Sequence, residues 1–402
     1  MLPKRPGVCD YVLIAVLLVG YLVATSYIVQ WCSRREQPAP APADALDGYL
    51  QQCGVPAPGL PRLRAFINHS RRTVRNQHIY GQTRPNDTVI VILVRSNQTD
   101  LTRLISDFQL VADIDRTLLI FSHFYVSQYA NWEIEAIEYA RVLQIFFPFT
   151  SQVCPDFFPG PNDLYCEYKA DCGVVLRGVR DEGCAQRKLF WWWTVNFVFE
   201  VADIGLFHNT TVLFMEEDDI VTPDFLYTLM LLKDTAKREC PYCDFLSING
   251  NDPSIYKRQD ISPNTAIESA FQATDFSSGL AFNKTIYYKL KIMGDSYCFF
   301  NDCGWQSSLQ HMTVSALPML RFHILYVELP RLLKAGALAA ARLRPEQLDR
   351  HMFPPALHVR RASAPAPGDV TARGNFADVR DRYLCMLSMG MRVFYTNNNT
   401  SL

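Results

Sequence analysis

The chain has 402 residues, of which 49% are hydrophobic and 20% charged, and its net charge is −1. That length and apolar content can bury a large core, in one domain or two closely packed ones, and exclude wholesale disorder. A near-neutral balance with no basic stripe excludes nucleic acid as a partner.

Tyr11 to Trp31 is an uncharged, mostly apolar run of membrane-spanning length, flanked by Lys4 and Arg5 before it and Arg34 and Arg35 after it. It exceeds the apolar core of a signal peptide, and Ala24-Thr25-Ser26 is a poor cleavage site, so an uncleaved signal anchor is expected over residues 11–31 behind a cytoplasmic tail at 1–10. Basic residues on both flanks orient the span only weakly. Beyond it lie ten cysteines, from Cys53 to Cys385, and seven Asn-x-Ser/Thr sequons, starting at Asn68, Asn86, Asn97, Asn209, Asn283, Asn398 and Asn399. Both features belong to a lumenal or extracellular compartment. Cys154, Cys166, Cys172 and Cys184 suggest a stapled loop, and Cys240-Pro-Tyr-Cys243 a tight local bridge, because no second metal-ligand pair accompanies it at zinc-finger spacing.

Residues 32–85 include the Pro/Ala tract from Glu36 to Ala43, which cannot build a core and reads as an extended stem. A lumenal domain is expected over 86–390, with a C-terminal tail at 391–402. Asp87 to Val94 is a β-branched strand, and Leu101, Leu104, Ile105, Phe108 and Val111 follow at helical spacing. Thr117 to Ser122 and Val142 to Phe147 are two further buried strands, so the alternation predicts an α/β fold with a mostly parallel sheet and right-handed crossovers. Ala185 to Phe199 carries Trp191, Trp192 and Trp193; three consecutive tryptophans cannot share one helix face, and core packing accounts for at least two.

The organising stretch is Thr211 to Phe225. A short apolar strand, Val212 to Met215, ends in Glu216, Glu217, Asp218 and Asp219. Ligands of open α/β sheets bind outside the carboxyl ends of the strands, where such acids can hold a hard divalent cation. A solvated acidic turn leading into a helix at Thr222-Pro223-Asp224 explains the same residues equally well. Helices are expected over Phe225 to Lys237, Asn283 to Met293 and Trp305 to Met312, and a strand over Asp244 to Ile248; from Ala335 onward little periodicity is visible.

Ile120-Phe-Ser-His123, Leu143 to Phe149, Phe158-Pro-Gly160, Trp191 to Trp193, Phe214-Met-Glu-Glu-Asp218, Glu239 to Asp244, Met352-Phe-Pro354 and Asp378-Val-Arg-Asp381 resemble, in this order, successive segments of the N-acetylglucosaminyltransferase II family. The resemblance runs from about Asp87 to Cys385. It implies a single-pass type II Golgi membrane protein whose lumenal domain has a GT-A-type (Rossmann-like) fold. It also implies transfer of GlcNAc from UDP-GlcNAc in β1,2 linkage to the α1,6-arm mannose of N-glycans, with inversion and with Mn(2+). Carried over residue by residue, Asp218 is the metal ligand, while Val94, Gln186, Lys188 and Glu217 fall among the substrate-binding positions.

Several positions depart from the family's pattern. The catalytic aspartate of Trp-Asp-Trp is Gln306, within Trp305-Gln306-Ser307, and the metal-binding histidine of Pro-Arg-x-x-His-Ala-Gly is Lys334. The nucleotide-binding Val-His-Asn-Arg is Val94-Arg95-Ser96-Asn97, the aspartate after Phe-Ser-His is Phe124, and Gln-Thr-Lys-His-His is Gln186-Arg-Lys188-Leu-Phe190. Two readings follow. Either an active transferase takes its base from Asp302, four residues before Gln306, or the chain is a catalytically inactive Golgi paralogue kept as a binding or partner subunit, in a homo- or hetero-oligomer. Helix capping is the bland role for Asp302.

Overall fold

The computed structural model describes residues 66–389, except 68, 85–86, 96–97, 154–157, 161–179, 203–208, 250–252, 259–261, 277, 316–320, 337–350, 363–367 and 369. The expected anchor and most of the stem lie outside the described residues, as do the sequons at Asn68, Asn86, Asn97, Asn398 and Asn399. Among the described residues no helix is long and apolar enough to cross a membrane.

The first half is a run of strands and helices close to expectation: β1 (Thr88–Val94), α1 (Gln98–Gln109), β2 (Thr117–His123), α2 (Gln128–Glu135), β3 (Arg141–Phe146), α3 (Glu182–Asn196) and β4 (Val212–Glu216). β5 (Asp219–Val221), α4 (Phe225–Glu239), β6 (Phe245–Ser247), β7 (Thr265–Ala270) and β8 (Leu280–Phe282) come next. The chain continues through α5 (Lys284–Ile292), α6 (Gly294–Phe299), α7 (Trp305–Ser315), β9 (His323–Val327), β10 (Leu332–Lys334), β11 (His358–Arg361) and α8 (Val379–Leu387). Nine strands form one sheet in the order β11-β7-β9-β6-β8-β4-β1-β2-β3, while β10 and β5 pair separately.

The half built from β3, β2, β1 and β4 is parallel throughout. β1 shows why: every residue of Thr-Val-Ile-Val-Ile-Leu-Val is buried, and side chains alternate between two apolar layers. Val89, Val91 and Leu93 join the layer containing α3, and Ile90, Ile92 and Val94 the layer containing α1 and α4. The other half is mixed, with β6 parallel to β9 and β11 parallel to β7, so parallel pairs dominate the sheet as expected. β8 runs antiparallel to β4 and β6, and β7 antiparallel to β9. Each of these antiparallel pairs joins strands that are not consecutive in the chain. β11 and α8 are also regular elements in the stretch where periodicity was weak.

All three tryptophans of α3 are core. Trp191 stacks on Trp305 at 4.6 Å and 5° between planes, and Trp192 on Tyr297 at 4.5 Å, so the helix is gripped from α6 and α7. Trp193 meets Phe147 from the β3 side. Cys184 corrects the stapled-loop expectation: its partner is Cys303, 119 residues away, which ties the start of α3 to the approach of α7. Cys298–Cys385 joins α6 to α8, and Cys240–Cys243 is the local bridge its spacing predicts. Removing a buried indole leaves a cavity that such a cross-linked layer cannot collapse into, so Trp191→Ala should lower unfolding free energy by about 3–5 kcal/mol in denaturant titration.

Candidate functional site

β4 lies beside β1 at the centre of the sheet, with Leu93 opposite Glu216. The apolar run stops there because the chain leaves the sheet, and the acids are delivered to its carboxyl edge. The Glu217 N–H donates to Leu93 O at 3.2 Å, fixing the turn. Asp219 folds back, its Oδ2 accepting from the Glu216 N–H at 2.8 Å and its Oδ1 from the Ser278 hydroxyl at 2.9 Å.

Into this cluster projects Lys334. Its Nζ is 2.5 Å from Asp218 Oδ1, 2.9 Å from Glu216 Oε2 and 3.0 Å from Asp219 Oδ1. Arg95, just past β1, donates to the other Glu216 oxygen at 2.8 Å, and Arg103 on α1 donates to the Asp218 carbonyl at 3.4 Å. Burial opposes a charge on Lys334, but the Asp219, Glu216 and Asp218 carboxylates outweigh it and hold the ammonium well above the usual lysine range. Asp219 is fully enclosed, and burial pushes its carboxyl up to about 6 even with Lys334 adjacent.

Lys334 arrives by backbone register. β10 pairs antiparallel with β5, placing Lys334 opposite Asp219, and the Ala335 N–H then donates to Asp218 O at 3.2 Å. Upstream, Arg331 is buried and donates through Nε to Asp224 Oδ2 at 2.9 Å, through Nη1 to Leu329 O and through Nη2 to His351 O. Asp224 also accepts from the hydroxyls of Thr222 and Thr228 and from the Phe353 N–H. Gly279 lets β10 approach: it has φ +72°, and a Cβ there would lie 2.8 Å from both the Asn249 side chain and Leu332 Cδ1.

The side where the family resemblance places the nucleotide is aromatic. Phe124 stacks on Phe147 at 5.7 Å and meets Phe190 edge-on at 5.2 Å. Two positions of polar family residues thus pack against each other. Val94 is buried at the end of β1 and its carbonyl accepts from the Phe124 N–H at 2.8 Å. Gln186 is buried with its Nε2 on Phe149 O, and Lys188 is buried with its Nζ on Phe300 O at 2.6 Å and over the Phe376 ring at 4.2 Å. Burial pulls the Lys188 amine down to about 7.

Where the family resemblance places the catalytic aspartate, the neighbouring Trp305 is consumed by its stack on Trp191. Asp302 is 8% exposed, and both of its oxygens are committed: Oδ1 to the Gly304 N–H at 2.8 Å and Oδ2 to the Arg373 N–H at 2.9 Å. The 373–374 backbone passes so close that a Cβ on Gly374 would lie 2.5 Å from Cys303 N. Asp302 therefore cross-links two loops ahead of α7. The structure brings Glu217 and Asp218 together at the end of β4, and gathers Lys188 and Asp302 around the Phe300 loop instead.

A divalent ion does not fit this donor set. Oxygens of three carboxylates already surround an ammonium at 2.5–3.0 Å, and a metal bound to the same oxygens at about 2.0–2.6 Å would face that like charge at contact range. The role of Lys334 was signalled by its type in the sequence. That of Arg95 was not, because only the β1–β4 pairing sets it beside Glu216. Among the described residues, the grouping of Asp181, Cys184 and Cys303 has metal-ligand proximity, but both cysteines are in a disulfide.

The mixed α/β sheet with its acid cluster at the carboxyl edge belongs, by its family, to the glycosyltransferase class. The family model of N-acetylglucosaminyltransferase II matches residues 63–385, and the chain belongs to that family. Alpha-1,6-mannosyl-glycoprotein 2-beta-N-acetylglucosaminyltransferase of Sus scrofa is 28% identical over 341 residues, covering 78% of this chain and 76% of the relative. The Homo sapiens protein is 29% identical over 344 residues with the same shares. The Arabidopsis thaliana protein is 25% identical over 243 residues, covering 58% and 55%. Among solved structures, S. aureus TarS 1–349 aligns with a TM-score of 0.34 and 11% identity over 66% of this chain and 69% of that one. Mouse xyloside xylosyltransferase 1 in its apo form aligns with 0.33 and 12% over 59% and 84%.

Two outcomes test this geometry. Asp224→Ala strands the buried Arg331 guanidinium and should cost about 3–5 kcal/mol in denaturant titration, whereas Asp224→Ala with Arg331→Met should cost less than the single change. His123, buried with its Nε2 2.9 Å from Gln144 Oε1, is pushed by burial down to about 4. A base whose folded pKa lies below its unfolded value contributes stability that is complete above about pH 6.5 and is lost as pH falls through about 4, on the order of 3 kcal/mol in total. Unfolding midpoints of His123→Gln should therefore fall less between pH 7 and pH 4.5 than those of the unaltered chain.

Proposed function

We infer that this chain is a catalytically silent member of its family, anchored in the Golgi membrane by residues 11–31 and retaining a GT-A-type lumenal domain as a binding or partner subunit. The observation that carries this reading is the state of the acceptor side. Inverting transfer needs a carboxylate to take the proton of the attacking mannose hydroxyl as that oxygen displaces the diphosphate at the sugar's anomeric carbon. The position that the family resemblance assigns to that base is Gln306, and the acid four residues before it, Asp302, spends both oxygens on backbone N–H groups. The aromatic packing of Phe124 and Phe190 and the lysine among the acids support the same conclusion from the donor side.

The second reading is transfer of GlcNAc from UDP-GlcNAc in β1,2 linkage to the α1,6-arm mannose of N-glycans. It is favoured by the family match over 63–385 and by Glu216-Glu217-Asp218 at the end of β4. One experiment separates them. The full-length chain, incubated with UDP-GlcNAc and a mannose-terminated N-glycan with and without Mn(2+), should form no β1,2-linked GlcNAc product, and calorimetry with UDP-GlcNAc should give no binding heat. Product formation at catalytic turnover overturns the silent reading and establishes the second.

A further inference from the structure

We propose that Lys334, with Arg95, is the resident cation of the acid cluster, and that the charge on Lys334 is what keeps a divalent ion out. The inference concerns the same site as the proposed function but does not require transfer to be absent.

Charge balance is the first support. Glu216, Asp218 and Asp219 converge as three carboxylates, and the cations in contact with them are the Lys334 ammonium and the Arg95 guanidinium. Two monovalent charges on the chain equal one divalent ion, so the cluster reaches the net charge it would have around a metal. The second support is donor count. A lysine ammonium has three N–H bonds, and Lys334 has one carboxylate for each, on three different acids. A metal in that place would keep open positions for phosphate oxygens; this ammonium keeps none.

Fixation is the third. Lys334 is a strand residue held opposite Asp219, flanked by the Arg331–Asp224 pair on one side and the Ala335-to-Asp218 hydrogen bond on the other. The side chain is 22% exposed, so it is not a surface lysine that happened to swing inward. Two of the three acids it pairs with are held by groups that do not depend on it: Asp219 by the Glu216 N–H and the Ser278 hydroxyl, and Glu216 by its place on β4 and by Arg95. Neutralising position 334 therefore leaves Glu216 and Asp219 oriented toward an unfilled space, with Asp218 beside them.

The test reads metal binding on the full-length chain by manganese EPR and by melting temperature with and without MnCl2. The unaltered chain and Lys334→Arg should bind no manganese at this site and show no shift. Lys334→Met and Lys334→Ala should bind one ion, at least about tenfold more tightly than the unaltered chain, with a manganese-dependent rise in melting temperature. Adding Asp218→Asn should abolish that rise. Tight manganese binding by the unaltered chain that is lost in Asp218→Asn overturns the proposal. So does the absence of binding in both neutral variants when near-UV circular dichroism shows them folded. Transfer by the unaltered chain without manganese would sink the silent reading yet leave this proposal standing, so the two fail separately.

Discussion

At the sheet's carboxyl edge three acids converge on one ammonium. Two carboxylates about 4 Å apart repel by about 4 kcal/mol at the effective dielectric of a protein surface, and the β4–β5 turn brings three into the reach of one atom. Nothing in β4 relieves that repulsion, because its other residues are apolar and buried. The relief comes from β10, more than a hundred residues further on, through Lys334. The two-stranded β5–β10 ribbon thus gains a purpose that its length alone would not justify: three residues per strand are marginal as a sheet, and the salt-bridge cluster at one end with the Arg331–Asp224 pair at the other closes it.

The substitutions around the site are coordinated rather than scattered. Phe124 and Phe190 would each be an exposed apolar liability alone, yet they meet each other and Phe147, forming an aromatic plug continuous with the core. Trp305 stacks on Trp191, while Asp302 holds the 302–304 turn to the Arg373 backbone.

How much was legible follows from the period and length of each element. β1, β2, β3 and β4 were visible because their runs are long, continuous and β-branched, the pattern of strands buried on both faces. β5, β8 and β10 span three residues each, too short for any periodic signal, and their placement comes from pairing partners far along the chain. The acid run was readable as a cation site, and Lys334 as a charge of the wrong sign, but their meeting required the β5–β10 register. Cys184 shows the same limit: its nearest cysteines in sequence suggested a local staple, while the fold carries it to Cys303.

The Arg331–Asp224 pair bears on why the scaffold persists. A buried ion pair is seldom the most stabilising use of its volume, since apolar residues of similar size often do as well. Here the pair fans out to Leu329, His351 and Phe353 and sets the start of β10, so its effect is positional. Pro330-Arg331 matches the family's pattern while the residue three positions on does not, so the device that aims position 334 at the acids is kept and only the aimed group differs. A chain that had abandoned this edge altogether would have no use for the aim. Keeping it with a lysine leaves three acids paired with two cations of the chain on the carboxyl side of the sheet.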